Sequence, residues 1–242
     1  MPDETTATAV GPDDVEQVEW DLAPLVDGEA DAGAVRLLDD AGERAAAFAD
    51  AYAGRVAELD ADGLRDAMRE LGTITELAGR AGTYAMLRFA VDTADPERGA
   101  LLQRVQELGT AIETKLLFFD LEWAALDDER AEELLSVDGL DFCRHHLRNL
   151  RRYRPHLLTE PEEKVLTEKA ITGSGAWSRL FAEVTSAIEV TVEGEGGPVP
   201  LDAALARLAS PDRDERRRVA EAVTEALEPG LRTRGFVLNT LL

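Results

Sequence analysis

The sequence predicts a mainly α protein: a multi-helix lobe with long antiparallel helices and one small β-hairpin near residues 188–201. Three observations predict it. Apolar residues recur at spacings of three and four over long windows, the period of one helix face. Helix starts are marked at Asp95-Pro96-Glu97, Thr159-Glu160-Pro161-Glu162 and Ser210-Pro211-Asp212. Strict alternation occurs in one short stretch, where Ile188, Val190 and Val192 are interleaved with Glu189, Thr191 and Glu193.

Residues 1–18 are small, polar and acidic and predict a disordered acidic tail. Order begins at Trp20-Asp21-Leu22-Ala23-Pro24-Leu25, whose large apolar side chains need packing partners. Val35, Leu38, Ala45, Phe48, Ala49 and Tyr52 mark a first helix. Leu64, Met68, Leu71, Ile74, Leu77, Ala81 and Tyr84 mark a second, with Asp60 or Asp62 as its N-cap. At Asp95-Pro96-Glu97 aspartate caps, proline fits the first turn and glutamate favours the positive end of the dipole. The third helix runs on to about Leu126 through Leu101, Leu102, Val105, Leu108, Ile112, Leu116, Phe119 and Trp123. Some thirty residues of helix span ~45 Å, too long for a small bundle and suited to a larger body. Asp127 and Asp138 are candidate caps for two shorter helices, the second reaching about Tyr153. Thr159 and Glu162 form a capping box. The helix after it is interrupted by Thr172-Gly173-Ser174-Gly175 and resumes over Ala176–Thr185. Gly194, Gly196 and Gly197 supply the hairpin turn, and Val199 starts the return strand. A further helix runs from Ser210-Pro211-Asp212 to about Glu228, and Pro229-Gly230 bends the path. The closing run Phe236-Val237-Leu238-Asn239-Thr240-Leu241-Leu242 is apolar and uncapped, which predicts a chain cut inside an element. Phe236, Val237, Leu238, Leu241 and Leu242 are then expected to be less buried than their apolarity demands. No repeat of fixed period is present.

Composition excludes several classes of partner. The 242 residues include 49 acids against 26 Lys and Arg, a formal net charge of -23. That field repels phosphate backbones and anionic lipid, so neither nucleic acid nor membrane is an expected partner. Lys115, Lys164 and Lys169 are the lysines and the other bases are arginine, a pattern suited to a GC-rich genome or a salt-tolerant cytoplasm. The single cysteine, Cys143, cannot form an internal disulfide. The N-terminal residues lack a signal peptide's basic start and apolar core. No apolar run approaches the ~18 residues of a membrane span. A cytoplasmic location is expected.

The residues that could carry chemistry do not assemble a site. His145 and His146 are adjacent, so on a helix they point about 100° apart. His156 lies beyond Pro155. Neither HExxH nor HxxEH occurs. Cys143 is expected to be a buried, inert thiol on an apolar side shared with Phe142 and Leu147. Gly173-Ser174-Gly175 lacks the Gly-Lys-Ser/Thr ending of a phosphate loop and is expected to be a helix break. Arg144, Arg148, Arg151, Arg152 and Arg154 form a basic cluster that could hold a carboxylate. Pairing with acids such as Asp141 or Glu160 is the simpler expectation. With 49 acids, no carboxylate pair stands out. Phe118, Phe119 and Trp123 are expected in the core. No catalytic, cofactor-binding or metal-binding residue is therefore assigned.

Several segments, in order from about residue 18, resemble the oligoendopeptidase F group of thimet-type zinc metallopeptidases. They are Trp20-Asp21-Leu22 with Pro24-Leu25, Tyr84-Ala85-Met86-Leu87-Arg88-Phe89, Asp92-Thr93-Ala94-Asp95-Pro96 and Leu121-Glu122-Trp123. They continue with Tyr153-Arg154-Pro155-His156-Leu157-Leu158-Thr159-Glu160-Pro161-Glu162-Glu163 and Gly175-Ala176-Trp177-Ser178-Arg179-Leu180-Phe181. Leu231-Arg232-Thr233-Arg234 and Asn239-Thr240-Leu241-Leu242 complete the series. The resemblance implies a helical lobe facing a catalytic lobe across a cleft for short peptides. It implies zinc held by two His of HExxH and a downstream Glu, with the HExxH Glu activating water, an arrangement in which metal and base share the work. None of those four residues has a counterpart here, so no cofactor is expected in this chain itself. On this resemblance the domains are a tail over 1–18, a helical N-terminal lobe over 19–205 and the first helices of a truncated catalytic domain over 206–242. The partners are a short peptide substrate and the missing catalytic lobe. The rival reading is a stand-alone helical interaction protein without catalytic activity.

Overall fold

The structure is a computed structural model and describes residues 20–194 and 196–241. The tail expected over 1–18 and the last apolar residue, Leu242, lie outside the described residues. The architecture is mainly α with one two-stranded antiparallel sheet.

Three long helices form the first body: α1 (Ala30–Tyr52), α2 (Ala61–Val91) and α3 (Pro96–Ala125), each packed on the other two. Short links join them, which makes successive helices antiparallel. On α1 the buried face is Ala34, Leu37, Leu38, Ala41, Ala45 and Phe48. Val35, expected on that face, is only half-buried; Ala34 and Ala41 let neighbouring helices approach closely and turn the stripe toward Leu37. The 3-10 turn Ala23–Val26 rests against α1 at Gly33, where a Cβ would lie 2.4 Å from the Val26 carbonyl oxygen. Leu22 and Leu25 pack on the core, but Trp20 is 79% exposed, against the expectation that it needs a partner.

Asp60, not Asp62, caps α2 by accepting from the Gly63 N–H at 2.8 Å. Asp95 caps α3, accepting from Glu97 at 2.8 Å and Arg98 at 3.3 Å. At thirty residues, α3 is long enough to touch α1, α2, α5 and α6. Its Phe118 and Phe119 join Phe48 at centroid separations of 5.9 and 5.7 Å. α4 (Asp128–Leu135) begins after Asp127, whose side chain makes no cap bond. The helix expected to start near Asp138 starts later, as α5 (Arg144–Arg152). Gly139 takes a left-handed φ of 93°, and the chain must turn before it can wind.

α6 (Glu160–Ala170) opens with Glu162 accepting from the Thr159 N–H at 3.0 Å and its hydroxyl at 2.6 Å. The glycine-rich segment after it breaks the helix, as expected: Gly173 leaves helical geometry at φ -96° and ψ -116°, and α7 (Ala176–Ser186) begins beyond the kink. β1 (Glu189–Val190) pairs with β2 (Val199–Pro200). Val192, expected in the strand, falls beyond the pairing yet is buried. The hairpin leans on α8 (Leu201–Ala206) and α9 (Arg213–Leu227) through Val190, Val192, Ala204, Val219 and Val223. This second apolar cluster is separate from the main one, which runs from Val26 to Leu147. It holds residues on both sides of position 205.

α10 (Leu231–Leu241) lies on α7. Phe236 is 62% and Leu238 46% exposed, as expected of the closing run. Leu241 is half-buried, while Val237 departs from the expectation and is buried.

Candidate functional site

The predicted polar residues do not converge. His145 and His156 are exposed, and the His145 Nε2 lies 2.9 Å from the Asn149 side-chain nitrogen. His146, also exposed, lines a different groove. Cys143 is buried and burial pushes its thiol up, which disfavours the thiolate. Phe142, expected on the apolar side with Cys143 and Leu147, is instead 57% exposed. Among the described residues no group of three or more His, Cys, Asp and Glu is placed to hold a metal ion.

The arginine cluster is largely structural. Arg144 pairs with Asp141, the expected acid, and donates to the carbonyls of Leu135 at 2.7 Å and Val137 at 3.1 Å. Arg148 pairs with Glu132 at 2.8 Å. Arg151 and Arg154 share Asp128 at 2.6 and 2.7 Å. These guanidinium groups hold the carboxyls of Asp128 and Glu132 below the usual carboxylate range. Glu160, the other acid considered, takes Lys164 instead. These arginines bind the α4–α5 segment together, with Arg151 also donating to the ends of α3 through the carbonyls of Trp123 and Leu126.

A concavity is formed elsewhere, where the α2–α3 turn faces α7 and α8. It encloses about 1240 Å³. Met86, Phe89, Leu201 and Leu205 give it apolar walls, and Thr93 and Ser186 meet across it through their hydroxyls at 2.6 Å. Arg179 is its main cation. The guanidinium sits 5.2 Å from the Phe89 ring centroid, and its Nε donates to Glu183 at 2.8 Å. Nη1 donates to the side-chain Oε1 of Gln103 at 3.4 Å. Gly99 makes this placement possible, because a Cβ there would come within 2.8 Å of Nη2. A flat cation with its face on an aromatic ring and its donors at a cleft wall can hold a carboxylate or carbonyl. The concavity presents binding chemistry, with the carboxylates of Asp92, Asp95, Glu183 and Asp202 and the hydroxyls of Thr93 and Ser186 beside the Arg179 guanidinium. Composition could not reveal Arg179 as a wall residue; the one sequence signal was its place within Trp177-Ser178-Arg179.

Asp120 was also not singled out from sequence. It is solvent-exposed, yet it stands among protein atoms in a groove between α2 and α3. Desolvation raises its carboxyl above the usual value, with Glu113 adding to the effect and His146 opposing it.

Comparisons with known proteins agree with one another. A family model described as Oligopeptidase F matches residues 122–189. Oligopeptidase PepF of Bacillus subtilis (strain 168) is 27% identical over 137 residues, which is 56% of this chain and 20% of that protein. The crystal structure of oligoendopeptidase-F from Enterococcus faecium superposes with a TM-score of 0.73 at 20% identity, over 88% of this chain and 42% of that one. The chain thus spans less than half of the relatives it matches. Over this span it is oligoendopeptidase F-like, corresponding to an N-terminal segment of such proteins.

Proposed function

We propose that this chain forms the N-terminal part of a zinc-dependent oligoendopeptidase, walling one side of a cleft for short peptides. The zinc and its ligands belong to a catalytic lobe outside this sequence. The observation that carries the reading is the 1240 Å³ concavity between the α2–α3 turn and α7–α8. Its apolar walls with a few placed polar groups suit an extended peptide. Arg179, over the Phe89 ring and paired with Glu183, is the group proposed to donate to a peptide carbonyl. Support for a covering lobe comes from apolar side chains left in water on α6, α7 and α10. Val165, Leu166, Leu180, Phe236 and Leu238 are 57, 55, 38, 62 and 46% exposed. Large exposed apolar surface marks an interaction site. The lone, buried Cys143 suits a reducing compartment, and a cytoplasmic location is proposed with it. Among the described residues no helix is long and apolar enough to cross a membrane.

Among the described residues no group of His, Cys, Asp and Glu fits a zinc ion, so no hydrolytic step is assigned to them. The test is to express the gene from this start through its next stop codon and to assay quenched-fluorescent peptides. The longer product should cleave them and lose activity to a chelator, while the 242-residue chain should not cleave them, with or without zinc. A reading frame that encodes no HExxH and a product without cleavage would overturn the proposal. A stand-alone helical interaction protein would then be the better description.

A further inference from the structure

A second concavity, of about 840 Å³, runs between α2 and α3 and is bounded by Phe142, Cys143 and His146. It does not depend on the peptidase reading. Its floor is apolar, with Ile74 and Ile112 buried beneath it. Three helix-interior glycines line it: Gly72 and Gly79 on α2, and Gly109 on α3. At each of them an added Cβ would meet nothing within 4 Å. Packing inside this chain therefore gives no reason for a residue that weakens a helix. Missing side chains at three points of one groove let another backbone approach closely.

The charge of the lining says what approaches. Glu76, Glu113 and Asp120 line the groove, and no Lys or Arg does. An apolar occupant without a cation would take water from these three carboxylates and give nothing in return, whereas a facing Lys or Arg pairs with them. A second copy of the chain fits poorly. Its net charge is -23, and the apolar faces of its arginine-rich helices α5 and α9 are already used, Leu147 in the main core and Val219 and Val223 in the second.

We infer that the α2–α3 groove docks an amphipathic helix of a partner protein, with its apolar stripe over Gly72, Gly79 and Gly109 and Lys or Arg residues facing Glu113 and Asp120. A helix laid in a groove is held by stripe residues at helical spacing, and rim charges set its direction.

The experiment uses the whole 242-residue chain and a fluorescent 18-residue Leu/Ala/Lys peptide with one apolar face. A scramble of the same composition and a version with Glu for Lys serve as controls. Anisotropy should show saturable binding of the first peptide, with both controls weaker by about tenfold or more, the effect of one lost anchoring interaction. Gly79→Leu and Gly109→Leu fill the groove and should each weaken binding at least ~10-fold. Glu113→Lys with Asp120→Lys should do the same. Circular dichroism must show the leucine variants as helical as the parent; if one unfolds, a photo-crosslinking peptide on the parent replaces it and should label residues around Phe142 and Glu113. The inference is overturned if the scrambled peptide binds as tightly, if the filled groove binds like the parent, or if crosslinks fall elsewhere. It is also overturned if the parent binds no peptide, or if sedimentation shows a dimer that the same substitutions dissolve.

Discussion

The indole N–H of Trp123 donates to the carbonyl of Leu147 at 2.9 Å, with both residues fully buried. This bond fastens the end of α3 to the middle of α5, and Arg151 covers the outside at 5.9 Å from the Trp123 ring. Trp123→Phe keeps most of the apolar volume but loses the donor, and should cost roughly 1–3 kcal/mol. Trp123→Ala adds a cavity and should cost about 3–5 kcal/mol. Urea unfolding with an unchanged slope would measure both. A phenylalanine variant as stable as the parent would show that the bond contributes nothing.

The residue before Trp123 ties down the other side. The Glu122 carboxylate accepts from the N–H of Gly54 at 2.7 Å and of Val56 at 3.2 Å. Gly54 has a left-handed φ of 74°, so the turn between α1 and α2 is shaped by glycine and then held by a charge on α3. Glu122→Ala should destabilise by about 1 kcal/mol, because two charge-assisted bonds are lost while water can reach the exposed Gly54 N–H. Amide exchange should quicken first at Gly54 and Val56. Exchange that stays slow there would assign the turn's order to local contacts alone.

Much of this fold is legible from side-chain period because burial at three- and four-residue spacing is local information. The caps at Asp95 and Asp212 are legible for the same reason: each accepts from N–H groups two or three residues on. The start of α5 is not, because Asp138 looks like a cap while the adjacent Gly139 takes a conformation that winds no helix. The concavity is not legible either. Arg179 reaches it from α7, Phe89 from α2 and Gly99 from α3, and no spacing rule links residues so far apart in the chain. The arginine cluster is legible as paired because Asp141 lies one helical turn from Arg144, whereas the Asp128 pairs with Arg151 and Arg154 depend on chain reversal.

Glycine to alanine changes should have opposite signs at two helical positions. At Gly79 a Cβ meets nothing within 4 Å, so Gly79→Ala should stabilise by up to ~1 kcal/mol through helix propensity. At Gly33 a Cβ would be 2.4 Å from the Val26 carbonyl oxygen and 3.0 Å from two side-chain carbons. Gly33→Ala must push the Ala23–Val26 turn off α1 and should lower stability despite the better propensity. Thermal unfolding of the two variants settles the comparison. Equal shifts of the same sign would mean that propensity alone governs both positions.

Stability should depend on pH through two kinds of carboxyl with opposite effects. Arg151 and Arg154 hold the Asp128 carboxyl below its ordinary value of 3.8, and Arg80 and Arg36 do the same for Asp27. A depressed folded value means that the unfolded chain takes up protons first as pH falls. The stabilisation from these pairs is therefore complete above the unfolded value near 3.8 and fades as pH drops through the lower folded value. Asp128→Asn should weaken the protein at neutral pH and leave it unaffected, relative to the parent, in strong acid. Asp120 runs the other way. Desolvation in the α2–α3 groove raises its folded value above 3.8, so the folded chain binds the proton more readily. Its ionised form opposes folding at neutral pH, and that penalty is relieved as pH falls through the raised value. Asp120→Asn should then stabilise the protein at pH 7, and this advantage should fade as pH falls through the raised folded value and be gone below the ordinary value of 3.8. Urea titrations of parent and variants across that range test both signs. If Asp120→Asn destabilises at pH 7, the carboxylate is making a favourable contact that outweighs its desolvation, and the groove would not demand a cation from its occupant.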